Sequence, residues 1–140
     1  YKKRLTMKEA LKDADVFIGV SAPNVINADD VSTMAKEPII FALCNPNPEI
    51  SVEEAKKGGA LIVGTARSDF PNQINNLLAF PGIFRGALDA KAAKITHKMK
   101  VAAALAIASC VKNPTPEMVV PDPLDKKIAK TVAKAVMKVA

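Results

Sequence analysis

Three short apolar segments recur about every 23 residues, and this spacing restricts the fold more than any other feature of the chain. The segments are Val16–Val20, Ile39–Leu43 and Leu61–Gly64. A stretch with helical character separates each segment from the next, and parallel strands need such a crossover between them. The alternation therefore predicts an α/β protein with a three-stranded parallel sheet, part of a doubly wound arrangement, followed by C-terminal helices.

Helix-start signals stand in front of a helix that precedes the first strand and in front of both predicted crossover helices. Thr6 and Glu9 form the Thr-x-x-Glu pattern of a capping box, and Ser51 with Glu54 repeats it. Asn27 precedes two acidic residues, which favour the positive end of a helix dipole. These signals predict three short helices that begin after Thr6, Asn27 and Ser51.

The rest of the chain, after Gly64, is predicted to be helical. The expected helices run over residues 72–88, with a break at Pro81 and Gly82, over 91–112, and from about Asp125. We expect residues 1–140 to form one domain part, with the β/α units in 6–90 and the C-terminal helices in 91–140.

The net charge of +6 does not predict a nucleic-acid partner. Four lysines recur at every fourth position on the last helix, as on the solvent face of an amphipathic helix: Lys126, Lys130, Lys134 and Lys138. Aromatic residues for base stacking are few. The longest apolar run, 101–111, is too short to span a bilayer. We expect a soluble, cytoplasmic protein with neither a nucleic-acid nor a membrane partner.

The cysteines and the single histidine exclude a structural zinc site within this sequence. Cys44 and Cys110 are far apart, and His97 stands alone. We expect two buried free thiols, which suit a reducing compartment. The sequence predicts no metal site in this chain.

Polar loops follow all three predicted strands, at the edge where open α/β sheets bind ligands. They are residues 21–24, 44–49 and 65–76. The third loop holds four carboxamides, which donate and accept hydrogen bonds without adding charge: Asn72, Gln73, Asn75 and Asn76. Two readings remain open: Asn72 caps a helix while the other carboxamides satisfy loop backbone, or the group binds a ligand.

Asn45, in the loop after the second strand, precedes a proline. The proline restricts the backbone of Asn45 and so fixes the direction of its side chain. Arg67 and Asp69 could pair with each other. The sequence lacks a Gly-x-Gly-x-x-Gly phosphate loop.

Several blocks of the sequence resemble one family, the short prokaryotic malic enzymes. The blocks are ADVFIGVSAPNV, PIIFALCNPNPEI, GTARSDFPNQINNLLAFPGIFRGALD and VVPDPLD. The resemblance is to the C-terminal part of a Rossmann-type NAD(P)-binding domain. It implies oxidation of malate with NAD or NADP and Mg²⁺ or Mn²⁺, followed by loss of CO₂ to give pyruvate.

The resemblance also implies roles for individual residues. The GVSA turn, with Gly19, Val20, Ser21 and Ala22, is similar to the turn that lies along the dinucleotide. Asn45, after Leu43 and Cys44, corresponds to a residue that contacts both substrate and nicotinamide ribose, and Leu43 joins the cofactor-binding set. Asn76 is similar to a malate-binding residue, and Asn75 to a cofactor contact. The family commonly has Ala at Cys44 and Gly at Ala66, and the methyl group of Ala66 takes up space where a glycine allows close approach of a ligand.

The family's catalytic Tyr and Lys, its metal-binding carboxylates and its glycine-rich loop match nothing in this chain, and Tyr1 is not that Tyr. We therefore expect no catalytic residue here, metal ligands outside this chain, and no activity without the missing amino-terminal part of the enzyme. The resemblance implies a homodimer. The alternative is a non-catalytic module that binds a nucleotide or dicarboxylate. The choice between NAD and NADP stays open.

Overall fold

The computed structural model describes residues 4–140, which fall into two compact units. The first extends to Ile74 and the second begins at Asn75. Tyr1 lies outside the described residues. The sequence predicts a different grouping, into 6–90 and 91–140. That grouping stays a prediction about domain organisation. Among residues 4–140, no helix is both long and apolar enough to cross a membrane.

The first unit contains the predicted parallel sheet. Strands β1 (Val16–Gly19), β2 (Ile39–Ala42) and β3 (Ile62–Thr65) lie side by side in that order, and both pairs are parallel. In the register, Phe17 lies opposite Ile40, and Ile40 lies opposite Val63. The α/β class with three parallel strands is confirmed, and β3 is displaced by one residue from its predicted range.

Three short helices connect or precede the strands: α1 (Met7–Leu11), α2 (Ala28–Ser32) and α3 (Val52–Lys57). The capping box of Thr6 and Glu9 is confirmed, and Asn27 forms a second box with Asp30. At α3 only half of the predicted box forms. The Ser51 hydroxyl accepts from the Glu54 N–H, while the Glu54 side chain forms an ion pair with Lys57.

One apolar core joins all three helices to one face of the sheet. It consists of buried side chains from the helices, the strands and the connecting loops, with Phe17 partly buried against it: Leu11, Ile26, Val31, Met34, Ile40, Ala42, Ile50, Ala55, Ala60 and Val63. Because Ile40 and Val63 are register partners, they point to the same face. The helices of this unit therefore cover a common face of the sheet.

The opposite face of β1 is apolar and exposed. Val16 is 45% exposed and Ile18 is 63% exposed. β1 is also an edge strand of the sheet. Parallel sheets are usually covered by helices on both faces, whereas these two side chains of β1 are exposed.

The second unit is helical, but the boundaries differ from the predictions. A 3₁₀ turn (Asn76–Leu78) leads into α4 (Phe80–Asp89), which is followed by α5 (His97–Ser109) and α6 (Lys126–Met137). The prediction of one helix over 72–88 with a break at Pro81 and Gly82 is wrong. Pro81 lies in the first turn of α4, where its missing N–H costs little. α5 is shorter than predicted because Thr96 caps it.

Two glycines bring α4 close to α6. A Cβ added at Gly82 would lie 2.5 Å from Val132 Cβ, and one at Gly86 would lie 2.5 Å from the Ala133 carbonyl oxygen. The core of this unit contains Val132 and Val136, which are both fully buried. The predicted amphipathic character of α6 is confirmed, since its apolar side packs in this core and its lysines lie outside it.

Candidate functional site

The loops after β1 and β2 meet at the carboxyl end of the sheet. The Leu43 N–H donates to the Gly19 carbonyl at 3.0 Å, which continues the pairing of the two strands by one step. Further along the same loops, the Asn24 N–H donates to the Pro48 carbonyl at 3.1 Å, and the Ile26 N–H donates to the Glu49 carbonyl at 3.3 Å. The two loops therefore form one continuous surface at the edge where ligands bind in open α/β sheets.

A buried carboxylate lies at the centre of this arrangement. Glu49 is fully buried, and its side chain accepts hydrogen bonds from both loops. Glu49 Oε1 accepts from the Ser21 N–H at 2.7 Å and from the Ser21 hydroxyl at 3.3 Å. Glu49 Oε2 accepts from the Cys44 N–H at 3.0 Å. Burial alone would raise the pKa of Glu49, but the bonds from Ser21 and Cys44 outweigh it and lower the pKa below its ordinary value.

The GVSA turn and Leu43, which are predicted to contact the dinucleotide, belong to the two segments that this carboxylate joins. Val20 is 78% exposed, and Ser21 and Ala22 are exposed as well. Gly19 is buried against Glu49, and a Cβ at this position would lie 2.5 Å from Glu49 Cδ. Leu43 is half-buried. The structure thus brings the GVSA turn and Leu43 to the same edge of the sheet.

Asn45 belongs to the same loop as Leu43 and is exposed. It follows Cys44, whose N–H is bound to Glu49 and whose thiol donates to the Ser21 carbonyl at 3.5 Å. The Asn45–Pro46 peptide bond is cis. The residue before Asn45 is therefore held on two sides, so the segment that carries the Asn45 amide is anchored to the GVSA turn.

The first two carboxamides after β3, those of Asn72 and Gln73, donate to backbone carbonyls within the first unit. Asn72 is buried, has a φ of 55°, and donates from Nδ2 to the Val63 carbonyl at 3.1 Å. Gln73 lies beside Thr65 in a parallel bridge, and the Ile74 N–H donates to the Thr65 carbonyl at 2.8 Å. The reading of Asn72 as a helix cap is wrong. This segment instead returns along the end of β3.

The other two carboxamides open the second unit. Asn75 caps the 3₁₀ turn, since its Oδ1 accepts from the Leu77 N–H at 3.1 Å. Asn76 is the first residue of that turn and is exposed. The two residues predicted as cofactor and substrate contacts are therefore neighbours on one short element, and Asn75 also has a local structural role.

Arg67 and Asp69 form the predicted ion pair in the loop after β3. Arg67 Nε donates to Asp69 Oδ1 at 2.8 Å, and this bond lowers the pKa of the Asp69 carboxyl. The guanidinium also lies 5.6 Å from the centroid of the Phe70 ring. Arg67 is therefore engaged within its own loop.

Both cysteines are free, as predicted, but they are only partly buried, whereas the prediction was of buried thiols. Within the described part of the chain, no three His, Cys, Asp or Glu side chains are grouped so that they could hold a metal ion.

Glu49 is the feature that sequence reasoning missed. Its partner Ser21 lies 28 residues away in the chain, so no local pattern reveals the contact. One signal was available: Glu49 is the one carboxylate in the loop CNPNPE, which is otherwise neutral and rich in proline.

Comparison with known proteins places this geometry in context. The family described as "Malic enzyme, NAD binding domain" matches residues 2–140. The bifunctional malic/malolactic enzyme of Bacillus subtilis is 55% identical over 99% of this chain and 34% of its own length. The NADP-dependent malic enzyme of Rhizobium meliloti is 44% identical over 98% of this chain and 20% of its own length.

A solved structure shares the fold as well. The NAD-dependent malic enzyme of Thermotoga maritima has a TM-score of 0.89 and 47% identity, over 94% of this chain and 34% of that one. The present chain thus spans about a third or less of the length of the relatives that it matches.

Proposed function

Since the chain belongs to the malic enzyme NAD-binding domain family, we propose that it forms the dinucleotide-binding part of a malic enzyme. The proposed reaction of the complete enzyme is the oxidative decarboxylation of malate to pyruvate and CO₂ with NAD or NADP. The chemistry that the dinucleotide supplies when bound is acceptance of a hydride from the hydroxyl-bearing carbon of malate. In this proposal the chain itself binds and orients, and it provides no catalytic acid or base.

The observation that carries the proposal is the joined surface of the first two loops. The bond from Leu43 to Gly19 and the three bonds to Glu49 hold the GVSA turn beside the segment that carries Asn45. Binding one extended ligand across two loops requires both to be positioned before the ligand arrives, because ordering a loop on binding costs free energy.

The exposed side chains at this edge suit a pyridine nucleotide. Val20 and Ala22 offer small apolar surface for a ring or ribose, and the Asn45 amide can both donate and accept. The Glu49 carboxylate is buried and already accepts from N–H groups of the loops. It therefore presents no exposed negative charge to repel a pyrophosphate or a dicarboxylate.

We propose that Asn45 binds both malate and the nicotinamide ribose, that Asn75 contacts the cofactor, and that Asn76 binds malate. Neutral amides can orient two carboxylates and a hydroxyl without placing a further charge in the site. The exposure of Asn45 and Asn76 supports this assignment. The cap that Asn75 forms with Leu77 supports it too, because it anchors the element from which Asn76 projects.

The divalent cation, Mg²⁺ or Mn²⁺, is proposed to be held by residues outside this chain. The catalytic Tyr and Lys are proposed to come from the same amino-terminal part of the enzyme. The exposed apolar side of β1, with Val16 and Ile18, supports a partner there, because an uncovered edge strand otherwise promotes association. We further propose that the complete enzyme is a cytoplasmic homodimer.

The test is reconstitution of the complete enzyme from this chain and the amino-terminal part. Malate-dependent reduction of NAD or NADP is measured by absorbance. We expect activity with the wild-type chain, and a strong loss of kcat/KM with Asn45→Ala and with Asn76→Ala. Asn113→Ala also removes an exposed amide, from the loop between α5 and α6, and serves as the matched control. A folded, assembled enzyme without malate-dependent reduction would overturn the proposal.

A further inference from the structure

The environment of Glu49 is unusual for a carboxylate in a loop. Acidic side chains are rarely fully buried unless they are paired, yet Glu49 is fully buried in a loop near the surface. Its hydrogen-bonding partners are two backbone N–H groups and a hydroxyl rather than a cation. The carboxylate therefore connects the backbone at Ser21 to the backbone at Cys44.

Each of the two oxygens serves a different loop. Oε1 binds Ser21 in the GVSA turn, and Oε2 binds Cys44, the residue before Asn45. Only a side chain with two acceptors can satisfy both N–H groups at once. A glutamine has one acceptor oxygen and an NH₂ group, so one N–H would face another donor. The 2.7 Å bond from Ser21 has the length of a charge-assisted hydrogen bond, and the 3.0 Å bond from Cys44 has the ordinary length of an N–H···O bond.

The strand end is shaped around this side chain. A Cβ at Gly19 would lie 2.5 Å from Glu49 Cδ and 2.8 Å from Glu49 Cγ, so only glycine leaves room for the carboxylate. The Glu49 backbone is fixed as well, because its carbonyl accepts from the Ile26 N–H. Both ends of the residue thus join the second loop to the first.

We propose that Glu49 is a positioning residue that sets the distance between the dinucleotide-binding turn and Asn45. This proposal rests on the proposed function, since it assumes that Ser21 and Asn45 contact one bound ligand pair. Glu49 acts through the Ser21 and Cys44 backbones and does not touch the reacting atoms. Its removal is expected to act on cofactor and substrate together, because the two loops would move relative to each other.

The first test is Glu49→Gln in the reconstituted enzyme. We expect kcat/KM for malate and for the dinucleotide to fall by about tenfold to a hundredfold, the scale expected when groups in a site are displaced by about 1 Å. Glu9→Gln is the matched control. Glu9 also accepts from a backbone N–H, that of Thr6 at 2.8 Å, but its carboxylate caps α1. The control is expected to keep wild-type kinetics.

Hydrogen exchange separates a positioning role from a general loss of stability. In the folded wild-type chain, the Ser21 and Cys44 amide protons are expected to exchange slowly, because both are bound to Glu49. In Glu49→Gln, exchange at these amides is expected to accelerate while the amides of β2 stay protected. If the variant does not fold, the wild-type measurement decides: exchange of both amides at the rate of unstructured backbone overturns the proposal.

The outcomes also separate this inference from the proposed function. An active wild-type enzyme whose Glu49→Gln variant keeps full kcat/KM overturns the role of Glu49 and leaves the function intact. A wild-type enzyme that lacks malate-dependent reduction overturns the proposed function. Dinucleotide binding that weakens in Glu49→Gln, measured by calorimetry, would still support the positioning role in that case.

Discussion

The close contact between α4 and α6 leads to a prediction that opposes helix propensity. Gly86 lies inside α4, where an alanine is ordinarily favoured by about 1 kcal/mol. Here a Cβ would lie 2.5 Å from the Ala133 carbonyl oxygen and 2.8 Å from Val136 Cβ. We therefore expect Gly86→Ala to lower the free energy of unfolding.

The magnitude follows from the missing space. Ordinary contacts of a Cβ begin at 3.4 Å, so the distance to the carbonyl oxygen is too short by about 0.9 Å. That oxygen belongs to backbone and cannot rotate away, so the helices must separate. Overpacking of a core costs about 1–3 kcal/mol, and separation also loosens the fully buried Val132 and Val136. The contact is severe, so we expect a cost in the upper half of that range; after the propensity gain of about 1 kcal/mol, the expected net loss is about 1–2 kcal/mol.

The assay is urea unfolding followed by the circular dichroism of the helices. Gly86→Ala should shift the midpoint to lower urea, and Gly82→Ala should do the same, because its Cβ would lie 2.8 Å from the Ala129 carbonyl oxygen. Leu88→Ala, at a position 72% exposed on the same helix, is the control and should change stability by less than about 0.5 kcal/mol. A Gly86→Ala variant as stable as wild type would refute the reasoning.

Three further predictions concern the first unit and the isolated chain. Asn72→Ala removes the bond to the Val63 carbonyl inside the protein and should cost about 1–3 kcal/mol in urea unfolding, and an unchanged midpoint would show that the bond is unimportant. Because the pKa of Glu49 is lower in the folded state than its ordinary 4.5, its carboxylate stabilises the fold above that value. This contribution is lost as the pH falls through the folded-state pKa, so the stability difference between wild type and Glu49→Gln should shrink in acid and would contradict the argument if it grew. The purified 140-residue chain should show no malate-dependent reduction of NAD or NADP, and measurable turnover would disprove the assignment of catalysis to another part of the enzyme.

The elements that sequence patterns predict well are those whose causes are local. The caps at Thr6 and Asn27 depend on side chains three residues away, and both form as expected. The three strands are recognisable because each is a short apolar run between polar turns. The family resemblance is likewise local, because it is carried by uninterrupted blocks of sequence. Together these blocks extend over nearly the whole chain.

The predictions that failed depend on distant partners. Asn72 precedes an apolar stretch and resembles a helix cap, but the Val63 carbonyl nine residues earlier binds its side chain and draws the loop back to β3. Pro81 is an exception with a local cause: it resembles a helix breaker, but α4 begins just before it, so Pro81 lies in the first turn of the helix. Glu49 has partners in two loops, and its role appears only once the sheet brings those loops together.

The carboxylate shared by the first two loops couples the effects of amino-acid substitutions in those loops. The N–H groups of Ser21 and Cys44 both bind the Glu49 carboxylate. A substitution in one loop is therefore expected to change the effect of a substitution in the other. Double mutants across the loops should be non-additive even though the residues are far apart in sequence. Replacing either segment with that of a relative would then require the other segment and Glu49 to be replaced with it, because the hydrogen bonds of all three depend on one another.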